Sequence, residues 1–397
     1  MPMKNTYKLS CMFWVLAFLS ILMVGTAFAD NIKVGVLLPL TGKLATAGEI
    51  EQNAFVMAVD EINAAGGVAG RKIDLIIEDT ATNPHVGGAA IEKLISQDRV
   101  VVLGGGCSSP VTRTTAAVAQ EREVPFLVNT ASADELTEMK RKYVFRLNPP
   151  ASEYSGALVS FLTKVARMRT AAILHENTGF GRFGVKGFYK VRRKLNFRVV
   201  LKRGYDASTR DFRPLLAMVK DRKPDLVYIV SHNILDATLL MQQADELSLH
   251  PRLFLGSAAG FTLPEFQDYA GEASEYIYSS TIWSPSVSYS GTRSFYDRFD
   301  AKYGAHPDYH GAQAYAAMYV IADSLKRAKS FDPEDVRNAL AGTDMMTVFG
   351  PVKFVSYGKK KQQNRLPTYL VQWINGKLEI VWPREVATAR YVYPASR

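Results

Sequence analysis

Cysteine is almost missing from this sequence. Of two cysteines in 397 residues, Cys11 falls in an apolar N-terminal stretch and Cys107 stands alone beyond it. A chain processed after that stretch has no partner for an intrachain disulfide and no zinc site of the Cys-x-x-Cys type. Histidine is scarce as well. The six histidines show no H-E-x-x-H spacing, so no zinc motif of that type is present and no cofactor is expected. The net charge of +10 is spread along the chain. One dense run, Lys359-Lys360-Lys361, lies between two β-like stretches and reads as a solvated hairpin loop. Without basic residues interleaved with stacking aromatics on one surface, nucleic-acid binding is not expected. No apolar run beyond residue 29 is long enough to cross a bilayer.

What is present begins with an export signal. Lys4 and Lys8 precede the uncharged stretch Leu9 to Val24, and Ala27-Phe28-Ala29 supplies a small-x-small cleavage pattern before Asp30. Residues 1–29 are therefore expected to be a signal peptide and the chain to be periplasmic. The stretch is short for a ~20-residue span, which argues against a retained anchor. The remaining chain is long enough for two domains of ~100–200 residues each.

That remainder alternates short β-branched runs with longer amphipathic ones. Ile32–Leu38 reads as a buried strand, followed by a helix with Phe55, Ala58, Val59 and Ile62 on one stripe. Strands at Ile73–Ile77, Val100–Leu103 and Pro125–Val128 alternate with helices at Pro84–Gln97 and from Pro110. A second series follows "YVFRLNPP", with strands at Ala171–Leu174, Phe197–Leu201, Leu226–Val230 and Leu253–Leu255. This rhythm predicts an α/β fold of two Rossmann-like lobes with parallel sheets. Residues 30–147 with 283–350 are expected to form one lobe, and 148–282 with 351–397 the other. "TYLVQWINGKLEIVWP" ends the chain with two strands joined by Asn375-Gly376, a hairpin signal.

Ligands of open parallel sheets bind beyond the carboxyl ends of the strands. Gly104-Gly105-Gly106-Cys107-Ser108-Ser109 is such a loop. Its glycines let a ligand approach the backbone, and its hydroxyls with a helix start favour an anion. Ser109 also suits a plain helix cap. Asn129-Thr130-Ala131-Ser132-Ala133 is a second loop rich in hydroxyls and amides. A third, Gly179-Phe180-Gly181-Arg182-Phe183-Gly184, matches the G-x-G-x-x-G of dinucleotide sites. It starts four residues after its strand, however, and the acid expected about 20 residues on is replaced by Leu201, Lys202 and Arg203, so NAD(P) is not expected. A fourth region joins Ser231-His232-Asn233 with Gly256-Ser257-Ala258. Ser108, His232 and Asp236 leave open an exported hydrolase, the weakest of the readings.

The stretches "IKVGVLLPLTG", "AVDEINAAGGVAGRKIDLIIEDTATNP", "VVVLGGGCSS", "VPFLVNTASADELT" and "VFRLNPP", in this order, resemble the periplasmic leucine/isoleucine/valine-binding proteins of ABC importers. The resemblance runs from about Ile32 to Pro383. It implies a type I periplasmic-binding fold, two lobes on a hinge of three crossover strands, closing on a ligand without chemistry. It also implies ABC permease subunits as partners and a monomer. Its carboxylate-binding residues fall on Ser108, Thr130 and Ser132, with Ser109 and Ala131 beside them. On the second lobe its aromatic falls on Phe180 and its tyrosine near His232. Its acidic ammonium anchor falls near Ala258, and its first-loop aromatic on Ala47. Those replacements leave the ligand open among small carboxylates, aromatic acids, amides and unusual amino acids. A sensor for a membrane receptor remains a second reading of the same closure.

Overall fold

The computed structural model describes residues 30–395 except 43, 178, 207, 232 and 258. The expected signal peptide, His232 and Ala258 thus lie outside the described residues. The chain runs β1 (Ile32–Leu38), α1 (Ala45–Ala64), β2 (Ile73–Asp79), α2 (Pro84–Ser96), β3 (Val102–Gly105), α3 (Ser109–Glu121), β4 (Phe126–Val128) and β5 (Val144–Arg146). It continues with α4 (Gly156–Lys164), β6 (Thr170–Glu176), α5 (Gly179–Leu195), β7 (Arg198–Tyr205), α6 (Arg213–Arg222), β8 (Leu226–Val230), α7 (Ile234–Glu246), β9 (Leu253–Ser257), α8 (Pro264–Ala270) and β10 (Tyr278–Thr281). The last part is α9 (Thr292–Tyr303), α10 (Tyr309–Arg327), α11 (Pro333–Ala341), β11 (Asp344–Thr347), β12 (Gly350–Tyr357), β13 (Lys360–Asn364), β14 (Tyr369–Ile374) and β15 (Lys377–Trp382).

Two open sheets result. The first has eight strands in the order β11-β12-β13-β5-β4-β3-β1-β2, and the second seven in the order β15-β14-β10-β9-β8-β6-β7. Strands β1 to β5 are parallel, as are β6 to β10. Parallel strands need crossover helices on the sheet faces, which is why their sequences read as continuous apolar runs. The stripe Phe55, Ala58, Val59 and Ile62 is buried as its spacing predicts, in one core with β1 and α10. Helix α10 is buried nearly all round, so its sequence carries no polar face. No helix among the described residues is long and apolar enough to cross a membrane.

The chain passes between the sheets at 147–155, 282–291 and 365–368. These passages are tied together: Asn364 Nδ2 donates to the Leu147 carbonyl at 3.2 Å, the Ala157 N–H to Thr368 Oγ1 at 2.9 Å, and the Tyr289 and Tyr369 hydroxyls meet at 2.5 Å. The third passage corrects the expected assignment of everything from residue 351 to the second lobe. β13 pairs parallel with β5 through Gln363 and Arg146, and β12 folds back antiparallel on it, so residues 350–364 extend the first sheet. Pro351, which reads as a boundary, sits inside β12 opposite Met346 of β11.

Lys360 is a second correction. The expected hairpin is there, turning at Gly358 with φ +54°, and Lys359 and Lys361 are exposed. Lys360 itself is buried, its Nζ 3.2 Å from Asp134 Oδ2 and 3.0 Å from Glu138 Oε1. It pins β13 to the one-turn helix Asp134–Thr137 that follows the Asn129–Ala133 loop. Burial pushes the Asp134 carboxyl up, but hydrogen bonds from Ser152 and Lys360 outweigh it and leave it below its ordinary value. Stability from this carboxylate is therefore complete above its unfolded value and is lost as pH falls through the lower folded one. Lys360→Met is expected to flatten the acid-side decline of the melting temperature, measured by circular dichroism between neutral pH and about pH 3. An unchanged decline would assign Asp134's support to Ser152 alone.

Candidate functional site

The carboxyl ends of β3 and β4 lie side by side, and backbone hydrogen bonds lace their loops. Asn129 N–H donates to the Gly105 carbonyl at 3.0 Å and Ala131 N–H to the Gly106 carbonyl at 2.8 Å. Ser109 Oγ accepts the Ala133 N–H at 3.2 Å. These bonds bring Ser108, Ser109, Thr130, Ala131 and Ser132 together, as the parallel topology predicts. They also reassign several roles. Ser109 is the first residue of α3 and bridges the two loops rather than capping the helix. Ser108 holds the N-cap position with extended backbone, buried, and its hydroxyl makes no cap bond. Ala131 has its N–H already used by Gly106. The glycines serve packing: Gly104 and Gly105 end β3, and a Cβ on Gly105 would stand 2.3 Å from the Leu37 carbonyl oxygen.

Beneath these loops runs a buried polar network. Asn129 Nδ2 donates to Glu51 Oε2 at 3.0 Å and to Thr130 Oγ1 at 2.9 Å, so the Thr130 hydroxyl belongs to this network. Asn148 Nδ2 donates to the Thr130 carbonyl and, at 2.7 Å, to the Tyr154 hydroxyl, and Gln313 Nε2 donates to Asn148 Oδ1 at 2.7 Å. Arg146, fully buried, donates to Gln363 Oε1 at 2.6 Å, to the Ala133 carbonyl at 2.5 Å and to Thr137 Oγ1 at 3.1 Å. It holds the loop's far end from below.

Glu51 is fully buried, and burial raises its carboxyl against the opposing pull of the His310 charge and the hydrogen bond from Asn129. Burial, reinforced by the Glu51 charge, pushes the Cys107 thiol well above its ordinary value. His310 Nδ1 lies 2.9 Å from Asp308 Oδ2, and Asp308 Oδ1 caps α10 by accepting the His310 N–H at 2.8 Å. Burial would lower His310, but the Asp308 charge and hydrogen bond and the Glu51 charge raise it. The Tyr309 ring stacks on His310 with centroids 4.0 Å apart.

The carboxyl edge of the second sheet is acidic. Glu176 ends β6, Asp206 follows β7, Ser231 follows β8 and Asp236 lies in the first turn of α7. Asp206 Oδ1 accepts from Asn177 Nδ2 at 2.7 Å. Asp236 is buried, 3.7 Å from Arg210; burial raises its carboxyl, Arg210 opposes and Glu176 adds to the rise. The Ser231 hydroxyl donates to the Asn233 carbonyl at 3.1 Å, and the buried Tyr205 hydroxyl has no hydrogen-bond partner among the described residues. Phe180 is the second residue of α5; its side chain lies outside the described residues. The glycines of its motif pack that helix onto the sheet. A Cβ on Gly181 would meet the Glu176 carbonyl oxygen at 2.0 Å, and one on Gly184 would meet Val230 at 2.6 Å.

The sequence profile of the family described as periplasmic binding protein matches residues 31–377. This chain belongs to the periplasmic binding protein family. Among its relatives, the Leu/Ile/Val-binding protein homolog 7 of Brucella suis is 30% identical over 394 residues, covering 94% of this chain and 97% of that protein. The branched-chain amino acid transporter substrate binding protein LivJ from Streptococcus pneumoniae, solved in complex with isoleucine, is 25% identical with a TM-score of 0.74. The match covers 89% of this chain and all of LivJ. The solute binding protein of an ABC transporter from R. palustris, solved with benzoate, shares the fold at 23% identity and a TM-score of 0.72, covering 92% of this chain and 98% of that one. The two-lobed α/β architecture read from the sequence is thus the type I periplasmic-binding fold.

Several residues of this periplasmic binding protein's candidate site escape reading along the chain. Glu51 carried a signal: with Phe55, Ala58 and Ile62 it occupies one helical stripe, so a carboxylate sits on the buried face of α1. Asp308 and His310 carried none, since nothing local relates them to Cys107. Tyr154 is placed at the first loop pair, and Tyr205 and Asp206 at the second sheet's edge.

Proposed function

We propose that this protein is the periplasmic solute-binding component of an ABC importer. It binds a small amino-acid-like or other carboxylate- or amide-bearing solute between its lobes and delivers it to the permease. Family membership and the homologous transport proteins support this reading. The observation that carries it is Ser108: a buried hydroxyl at the start of a thirteen-residue helix, unused for capping, beside Ser132 of the neighbouring loop. Helix N-terminal amides and hydroxyls are matched to a carboxylate. The acids at the second sheet's edge, Asp236 and Glu176 among them, supply negative charge for a ligand ammonium in place of the family acid missing at Ala258. Lobe closure about the three passages couples binding to docking on the membrane subunits, because contacts made only in the closed form shift the equilibrium toward it.

The test is a thermal-shift screen of branched-chain and other amino acids, aromatic acids, amides and short dicarboxylates. A true solute at a hundred times its Kd stabilises the fold by about 2.7 kcal/mol. Ser108→Ala is expected to weaken its binding by about tenfold to a hundredfold, the worth of one charge-assisted hydrogen bond, with the ligand-free melting point unchanged. Unchanged affinity removes Ser108 from the site, and a screen without hits in any class removes the solute reading.

A further inference from the structure

Three side chains that no local motif connects converge beneath the first loop pair. A carboxylate oxygen of Glu51 on α1, Sγ of Cys107 before α3 and a ring nitrogen of His310 on α10 all lie within 4.8 Å of one another. Such a carboxylate–thiol–imidazole set is the donor chemistry of zinc. We infer that Glu51, Cys107 and His310 form a binding site for a divalent transition metal of the zinc class.

Four features carry the inference. Tetrahedral zinc, with bonds of about 2.0–2.3 Å, sets its ligand atoms roughly 3.5 Å apart, so the three atoms need to close by an ångström or so, within side-chain reach. Second, the outer partners are in place. Asp308 accepts from His310 Nδ1, the carboxylate–histidine arrangement that orients a metal-binding imidazole and leaves the Nε2 lone pair for the ion. Asn129 holds Glu51 Oε2 in the same way. Third, Glu51 is fully buried, yet its Oε1 has no hydrogen-bond partner among the described residues. Leaving a buried carboxylate oxygen unpaired is costly, and a cation removes that cost. Fourth, Cys107 and His310 are only part-buried, which gives an ion an entry path and leaves a fourth coordination position for water or a solute oxygen. The thiol proton passes to solvent when the thiolate binds.

This site is independent of which solute the cleft carries, because it is read out without solute. The purified, chelator-treated protein is titrated with zinc by calorimetry and with cobalt by absorption spectroscopy. One equivalent of zinc is expected to bind, and cobalt to give a near-ultraviolet thiolate-to-metal charge-transfer band. Cys107→Ser is expected to abolish the band. His310→Gln is expected to weaken zinc by more than the roughly 10–100-fold that loss of an outer partner costs. Melting curves of both variants without metal verify that they fold, and Glu51→Gln replaces either one that does not. A parent protein without the cobalt–thiolate band overturns the site, and so does zinc affinity that ignores Cys107→Ser.

Discussion

Arg146→Met is expected to destabilise the protein by about 2–4 kcal/mol and to weaken solute binding with it. The side chain is fully buried and, among the described residues, makes three hydrogen bonds, to Gln363, the Ala133 carbonyl and Thr137, with no carboxylate in direct contact. Each is charge-assisted, and losing one partner of such a bond costs about 1–3 kcal/mol. Thr137 also donates to Gln363 at 3.1 Å, so those two retain each other, whereas the Ala133 carbonyl loses a buried partner. Methionine recovers part of the packing, which keeps the sum below three full bonds. The binding effect follows from place: Ala133 is bonded to Ser109 and adjoins Ser132, so releasing its carbonyl loosens both candidate loops. Urea unfolding and solute calorimetry on the same variant give the two readings. Arg146→Lys separates charge from geometry, because an ammonium cannot span the three acceptors. Full stability in the lysine variant would show that charge alone suffices.

Gly105→Ala is expected to cost about 3 kcal/mol or more and to abolish solute binding. The residue has φ +96°, in the region L side chains rarely adopt, and a Cβ there would stand 2.3 Å from the Leu37 carbonyl oxygen. That oxygen accepts the Gly106 N–H at 3.0 Å, so the methyl group contends with the bond that sets the loop leaving β3. Relief requires β1 and β3 to separate, which displaces Cys107 and Ser108. Gly88→Ala is the matched control. Its Cβ would meet only Thr114 at 3.6 Å in mid-α2, and alanine there gains up to about 1 kcal/mol of helix propensity. Differential melting of the pair reads the contrast, and equal melting points would refute the close-approach argument.

Much of the fold was legible because local chemistry and global structure agree. Ile32–Leu38 is a strand over the range its apolar run gives. Asn375 and Gly376 take positive φ of +53° and +71° in the predicted hairpin between β14 and β15. Where reading failed, the deciding partner was distant. Residues 351–364 look the same whether they add to one sheet or the other, and only pairing of Gln363 with Arg146 chooses. Lys360 reads as solvated until Asp134 and Glu138 are set beside it, more than 220 residues away along the chain. The loops of the candidate site were found because a parallel sheet puts them at strand ends. The carboxylate, imidazole and amides beneath them came from four separate segments and had no shared spacing to betray them.

The threefold passage of the chain also dictates when each half can be finished. Helix α1 is covered by elements that arrive very late: Lys302 with Asp60, Tyr303 with Asn53 and Tyr315 with Glu61 are separated by 242, 250 and 254 residues. The second sheet likewise waits for β14 and β15 at the far end of the sequence. A chain emerging from its N-terminus therefore holds two incomplete cores with apolar faces uncovered. Contacts of such span are slow to form and expose the unfinished faces to aggregation in the meantime. Neither lobe can mature first and template the other; the last stretch of polypeptide completes both at once, and any truncation there is paid for twice.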